Sequence, residues 1–243
     1  MLSSTNIAGT TAESELREEL ATVAQELRAA REGLFPPFSQ LVQQPQKDLA
    51  PLTRAAVVLT AGVGAPDDAG LREQRIYLAA ALEMLHLALN VHTTLLGMSA
   101  PANDPSRSLL GSTILAGDFC FSRSAGLAVR TGNATVVAIF ADALKRVSEG
   151  HLRHLFEAES PAFDETRELI RAGIVAAATL AGADMAWQAA ATRFGDTLAT
   201  ALATDALSDL ALDHELLAHL QPEQHRRWDA LLTWFRASHS PPR

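Results

Sequence analysis

Glu83, His86 and Asn90 stand at i, i+3 and i+7 within "ALEMLHLALNVHTTLLG" (81–97), a spacing that brings all three onto one face of a helix. The first two form a Glu-x-x-His pair, the unit that holds a di-iron centre inside a four-helix bundle. That centre needs a second Glu-x-x-His and two further glutamates. The segment "SEGHLRHLFE" offers His151, His154 and Glu157 on one face, but in the wrong order, so no metal is expected. His86 is then a hydrogen-bonded core or interface histidine. Asp205, Asp209 and Asp213 are expected to line one face of a later helix as a solvated acidic strip. Cys120, the single cysteine, lies in the apolar run "ILAGDFCF"; it cannot form an internal disulfide and is expected as a buried thiol without chemistry.

The elements that must position these groups are helices. Ala and Leu dominate, β-branched residues are sparse and aromatics make up 5%, which favours long helices packed through small side chains. The fold class is therefore all-α, a single-domain helical bundle over 1–243. Thr10 and Glu13 make a capping box for a first helix with Leu16, Leu20, Val23 and Leu27 on its apolar face, ending near Gly33. A second helix begins near Pro51 and ends at "AGVGAPDDAG", and a third covers 70–96. Further helices are expected at 109–130, 133–158 and 162–193, then one running on past "RFGD" to about 219. The last starts at Pro222, with Trp228, Leu231, Leu232 and Phe235 on its apolar face. Short connections imply antiparallel neighbours.

Composition narrows the function classes. With 48% hydrophobic and 20% charged residues, the chain can bury a sizeable core. A net charge of −8, with no stripe of Lys and Arg, argues against a nucleic-acid surface. The opening "MLSSTNIAGTTAESE" has no basic segment followed by an apolar run. No stretch reaches the roughly 18 apolar residues of a spanning helix, so a cytoplasmic protein without stable membrane insertion is expected.

Read with its neighbours, the 81–97 segment resembles the helix of the trans-isoprenyl diphosphate synthases that reads A-x-E-x-x-H-x-A-x-x-x-H-D-D-x-x-D, with Ala81, Glu83, His86, Ala88 and His92 in place. "TILAGDFCFSRSAGLAVRTGN" is similar to that family's A-V-L-A-G-D-x-L-x-x-x-A segment through Leu115, Ala116, Gly117, Asp118, Phe121 and Ala125. "VVAIFADALKRVSEGHLRHL" resembles the following helix, whose signature is E-G-E-x-x-Q. "KDLAP" (47–51) sits where the family has K-R-x-R-P, and "RFGDTLATALATDALSD" where it has Y-G-x-x-L-G-x-A-F-Q-I-x-D-D-x-x-D. Five motifs in order, over about 47–210, imply the family's fold.

The resemblance also implies chemistry that this chain has lost. Those enzymes ionise an allylic diphosphate and join the carbocation to isopentenyl diphosphate, using Mg²⁺ held by two aspartate-rich motifs. Here the first motif is occupied by Thr93, Thr94, Leu95, Leu96 and Gly97, and a neutral hydroxyl is a poor substitute for a carboxylate where several charges must be balanced. In the second, the aspartate positions fall on Ala206, Leu207 and Leu210, or, one residue slipped, keep only Asp205 and Asp209. Lys47 is a candidate remnant of the diphosphate clamp, but Asp48 and Ala50 replace its arginines. Only Arg107 stands near the missing double arginine, the later Lys-Thr pair falls within Ile170 to Ala172, and His151 and His154 replace the acid and the glutamine of E-G-E-x-x-Q. The chain stops about 34 residues after the second motif, earlier than is usual in the family.

The pattern is most similar to the small, non-catalytic subunit (component I type) of heteromeric long-chain polyprenyl diphosphate synthases, which serve quinone side-chain biosynthesis. The resemblance implies no cofactor of its own, with Mg²⁺ only in a catalytic partner, and a heterodimer or heterotetramer with that partner, or a homodimer. Candidate interface residues are His86, Leu89 and Asn90 on the third helix and Phe119, Phe121 and Arg123 on the fourth. Two alternatives stand beside it. One is a homodimer that binds a prenyl chain or diphosphate without turnover, with Ala88 leaving the cavity open below the first motif. The other is a residual prenyl transferase using Asp205, Asp209 and Glu83 with one Mg²⁺.

Overall fold

Polar residues that cap backbone N–H groups set the starts of many helices. The computed structural model describes residues 4–32, 52–64, 66–96, 104–157 and 163–238. These form α1 (Ser4–Arg31), α2 (Thr53–Ala61), α3 (Ala69–Leu96), α4 (Asp104–Arg130), α5 (Ala134–Phe156), α6 (Glu165–Leu180) and α7 (Met185–Ala203). A 3-10 turn (Leu207–Asp209) leads to α8 (His214–His219) and α9 (Pro222–Ser238), and there is no strand among the described residues. Asn133 caps α5 by accepting from Thr135 and Val136 N–H at 3.0 and 3.2 Å. Asp164 caps α6 through Arg167 N–H at 2.9 Å, and Asp184 caps α7 through Trp187 N–H at 2.7 Å.

Three expected boundaries are corrected. α1 begins at Ser4, so Thr10 lies inside the helix and not at its N-cap. The expected helix 162–193 is two helices: Ala183 N–H bonds back to Ala178 C=O at 2.9 Å around Gly182, whose φ of 68° is the left-handed turn that ends a helix, and Asp184 starts the next. The helix expected to run to about 219 stops at Ala203. Ala206 N–H reaches back to Ala201 C=O at 2.9 Å, and Asp205 takes the left-handed position at φ 55°.

The core is built where α2, α3, α6 and α7 meet, through Val57, Leu59, Leu82, Leu85, Leu169, Ile174, Phe194 and Leu198. α4 lies antiparallel along α3, and α5 and α6 make a second antiparallel pair. Trp228 of α9 packs edge-on against Phe194, ring centroids 5.1 Å apart, and α9 lies across α1. That contact is sealed by buried charges: Glu19 of α1 pairs with both Arg75 of α3 and Arg227 of α9, and Arg75 also holds Asp67. Burial lowers the Arg227 guanidinium to about 10, against the opposing pull of Glu15. No described helix is long and apolar enough to cross a membrane.

Candidate functional site

α3 presents Glu83, His86, Asn90 and Thr93 as a row, all four fixed by groups on other helices or on their own. Leu52, the residue before α2, has φ 70° and provides no side-chain cap. Glu83 supplies the cap from another helix: its Oε1 accepts from Ala55 N–H at 2.8 Å. Its Oε2 lies 3.5 Å from Nε of Arg54, a guanidinium only 2% exposed inside the apolar run "TRAAVVLTA". Burial lowers the Arg54 pKa, with Glu83 and then Glu165 pulling the other way. Glu83 is thus a helix cap and counter-ion.

His86 joins this pair to two further helices. Its Nδ1 lies 3.0 Å from Oε1 of Glu165, the first residue of α6, and its Nε2 2.8 Å from Nδ2 of Asn90. An ionised carboxylate on one side and an amide donor on the other select the neutral tautomer, Nδ1–H donating and Nε2 accepting. His151 of α5 brings its Nε2 to 3.1 Å from the other oxygen of Glu165. Burial lowers the pKa of His86, with the Glu165 hydrogen bond opposing. For Glu165 burial would raise the pKa, but the hydrogen bonds from His86 and His151 outweigh it and the net shift is downward.

The signs give a prediction. The unfolded chain takes up the His86 proton first, so its contribution to stability is complete above the ordinary imidazole value of 6.5 and declines as pH falls below it. Glu165 contributes above the ordinary carboxyl value of 4.5 and loses that contribution as pH falls through its lower folded value. Urea unfolding at falling pH should show stability declining in this order, and His86→Phe should flatten the part that begins below 6.5.

The degenerate metal motifs are occupied differently. Thr93 donates its hydroxyl to Asn90 C=O at 3.0 Å, within its own helix turn. The side chain of Thr94, and Gly97 and Lys47 altogether, lie outside the described residues. Leu207 and Leu210 are buried in the core, while Asp205 and Asp209 both face solvent. The acidic strip is corrected with the helix that carried it: Asp205 ends α7, Asp209 closes the 3-10 turn, and Asp213 caps α8 by accepting from Leu216 N–H at 2.7 Å. Among the described residues no group of three His, Cys, Asp or Glu could hold a metal ion. Among the described residues of the two motifs the donors are a hydroxyl bonded to its own helix and two separate solvent-facing carboxylates, a set that does not fit Mg²⁺, which takes clustered carboxylate oxygens.

The candidate interface residues divide. His86 and Leu89 are buried by their own chain, and the half-buried Asn90 gives its amide to His86. On α4, Phe121 stacks on His92 at 5.1 Å, and Arg123 lies 5.1 Å over the ring of Phe119. His92 Nε2 approaches Asp118 at 3.5 Å and sits where a Cβ on Gly117 would be, at 2.2 Å. The outer side of α4 exposes Leu115, 59%, and Val129, 62%, with Ser122, Ala125 and Gly126 between them. Cys120 is buried and its thiol is pushed up to about 11 by burial, so it is inert at neutral pH. Arg54 and Glu165 were missed by sequence reasoning. A single arginine in an apolar run was the available signal for the first, since such a charge must find a partner.

No family model matches the chain, and no curated protein does. Solved structures do. The structure aligns with a decaprenyl diphosphate synthase from Rhodobacter capsulatus at TM-score 0.62 and 20% identity, over 96% of this chain and 88% of that one. The fold is that of the polyprenyl diphosphate synthases. A polyprenyl synthase from Caulobacter crescentus, complexed with calcium and isoprenyl diphosphate, aligns at TM-score 0.63 and 21% identity over 95% and 85%. A heptaprenyl diphosphate synthase from Staphylococcus aureus aligns at TM-score 0.60 and 18% identity over 80% and 64%. The polyprenyl synthase fold is therefore present.

Proposed function

We propose that this chain is a non-catalytic subunit of a long-chain polyprenyl diphosphate synthase, working beside a catalytic chain of the same fold in isoprenoid quinone biosynthesis. One observation carries it: the positions of the two metal motifs hold a threonine bonded to its own helix, two buried leucines and two solvent-facing aspartates. Ionising a diphosphate means stabilising charge as it develops, and each missing charged group costs a few kcal/mol of barrier on the usual scale. Engagement of Glu83 with Ala55 and Arg54 supports this over a residual transferase using Glu83, Asp205 and Asp209. Mg²⁺ belongs to the catalytic partner, and this chain needs none.

The outer face of α4 is the surface proposed to meet the partner, as a heterodimer or heterotetramer, because its apolar and small residues leave room for another helix to pack closely. Leu115→Asp with Val129→Asp tests it. Both residues are exposed, so the fold should change by no more than about 0.5 kcal/mol. Co-elution with a synthase from the same organism that has intact aspartate motifs should be lost, and the activity of the mixture should fall by about tenfold or more. Unchanged co-elution would remove α4 from the interface.

A further inference from the structure

We propose that Glu165 is a latch that fastens α5 to α3 at the end of the bundle where the degenerate motifs lie. α3, α5 and α7 all finish at this end, and α6 begins there. Glu165 stands at the first position of α6 and divides its two oxygens between helices: Oε1 to His86 of α3 at 3.0 Å, Oε2 to His151 of α5 at 3.1 Å. Phe163 packs its ring against Gly150 and edge-on to His151, ring centroids 5.6 Å apart, and Arg146 of α5 pairs with Glu168 of α6. Beyond His151, every residue from Leu152 to Glu157 is exposed, so among the described residues this tip of α5 is not buried against another helix. A carboxylate shared by two imidazoles is then what links the tip of α5, beyond the Arg146–Glu168 ion pair that ties α5 to α6, to the inner row of α3.

The surrounding charges favour the fastened state. Facing the latch are Arg54 from α2, Glu83 and Asn90 from α3, and His151 from α5. Arg54 attracts the Glu165 carboxylate, and both imidazoles present N–H groups to it. Charge-assisted bonds of this kind are the stronger class of hydrogen bond. His86 is locked behind by Asn90, so the latch is seated on a fixed imidazole. The proposal does not depend on the proposed function or on any partner.

Hydrogen exchange and histidine NMR on the isolated full chain at pH 7.5 test it. In the wild type the His86 ring should be the Nδ1–H tautomer with a slowly exchanging imidazole proton, and the amides of 147–154 should be protected. Glu165→Gln keeps the shape but halves the acceptors. It should release the imidazole proton and speed exchange at 147–154 by about tenfold or more, leaving the α1 and α9 amides unchanged. His151→Phe keeps ring packing while removing the donor, and should reproduce the α5 effect alone. Equal protection of 147–154 in all three proteins, or a wild-type His86 in the Nε2–H form, would overturn the latch.

Discussion

Replacing Glu83 by alanine is expected to destabilise the protein by about 3–5 kcal/mol, the range found when one partner of a buried ion pair is removed. Two losses coincide at this side chain. Arg54, almost wholly buried, is left with no carboxylate within ion-pair distance among the described residues, and Ala55 N–H at the start of α2 loses its acceptor. Glu83→Gln separates them: it can still accept from Ala55, so it should recover the cap but not the charge, and fall between wild type and alanine. Arg54→Met with Glu83→Gln should recover more still, because the uncompensated cation is gone. Urea denaturation with a constant m-value measures all three. A loss below about 1 kcal/mol for Glu83→Ala would mean that Arg54 finds other partners.

The second large effect lies at the far side of the fold. Glu19→Ala strips one carboxylate from two buried guanidinia, Arg75 and Arg227, and should again cost about 3–5 kcal/mol. Arg75 retains Asp67, but among the described residues Arg227 is left with the half-exposed carboxylate of Glu15, 3.9 Å away, and the Ala12 C=O at 3.5 Å. The damage should therefore concentrate on α9, detected as early loss of the Trp228 fluorescence signal or of amide protection in 222–238. Uniform loss across the chain would instead mean that α1 and α9 unfold with the core.

Much of the architecture was legible because periodicity and caps agree. α3, α4 and α5 lie near their expected positions, and Trp228, Leu231, Leu232 and Phe235 are buried as the spacing required. The failures have physical causes. Periodic apolar residues on both sides of "LAGAD" suggested one helix, although Gly182 followed by Asp184 is a stop and a cap in sequence. "ATDALSD" contains neither Gly nor Pro, and its helix ends because an aspartate tolerates the left-handed position, which no composition rule announces. The row of Glu83, His86 and Asn90 was found, but not its direction. Spacing puts residues on one face without saying whether that face meets its own core or a partner. The missing members, Arg54 and Glu165, come from helices about 30 and 80 residues away in sequence from that row, a distance no local pattern spans.

The central claim is that the chain keeps the synthase fold while its own site does no chemistry. The most direct measurement is incorporation of labelled isopentenyl diphosphate with farnesyl diphosphate and Mg²⁺, run on this chain alone and with a synthase from the same organism that has both aspartate motifs. No product above background from the chain alone, and product from a co-eluting mixture, is the result expected. Turnover by the chain alone would show that its remaining carboxylates assemble a working metal site, and would contradict the account.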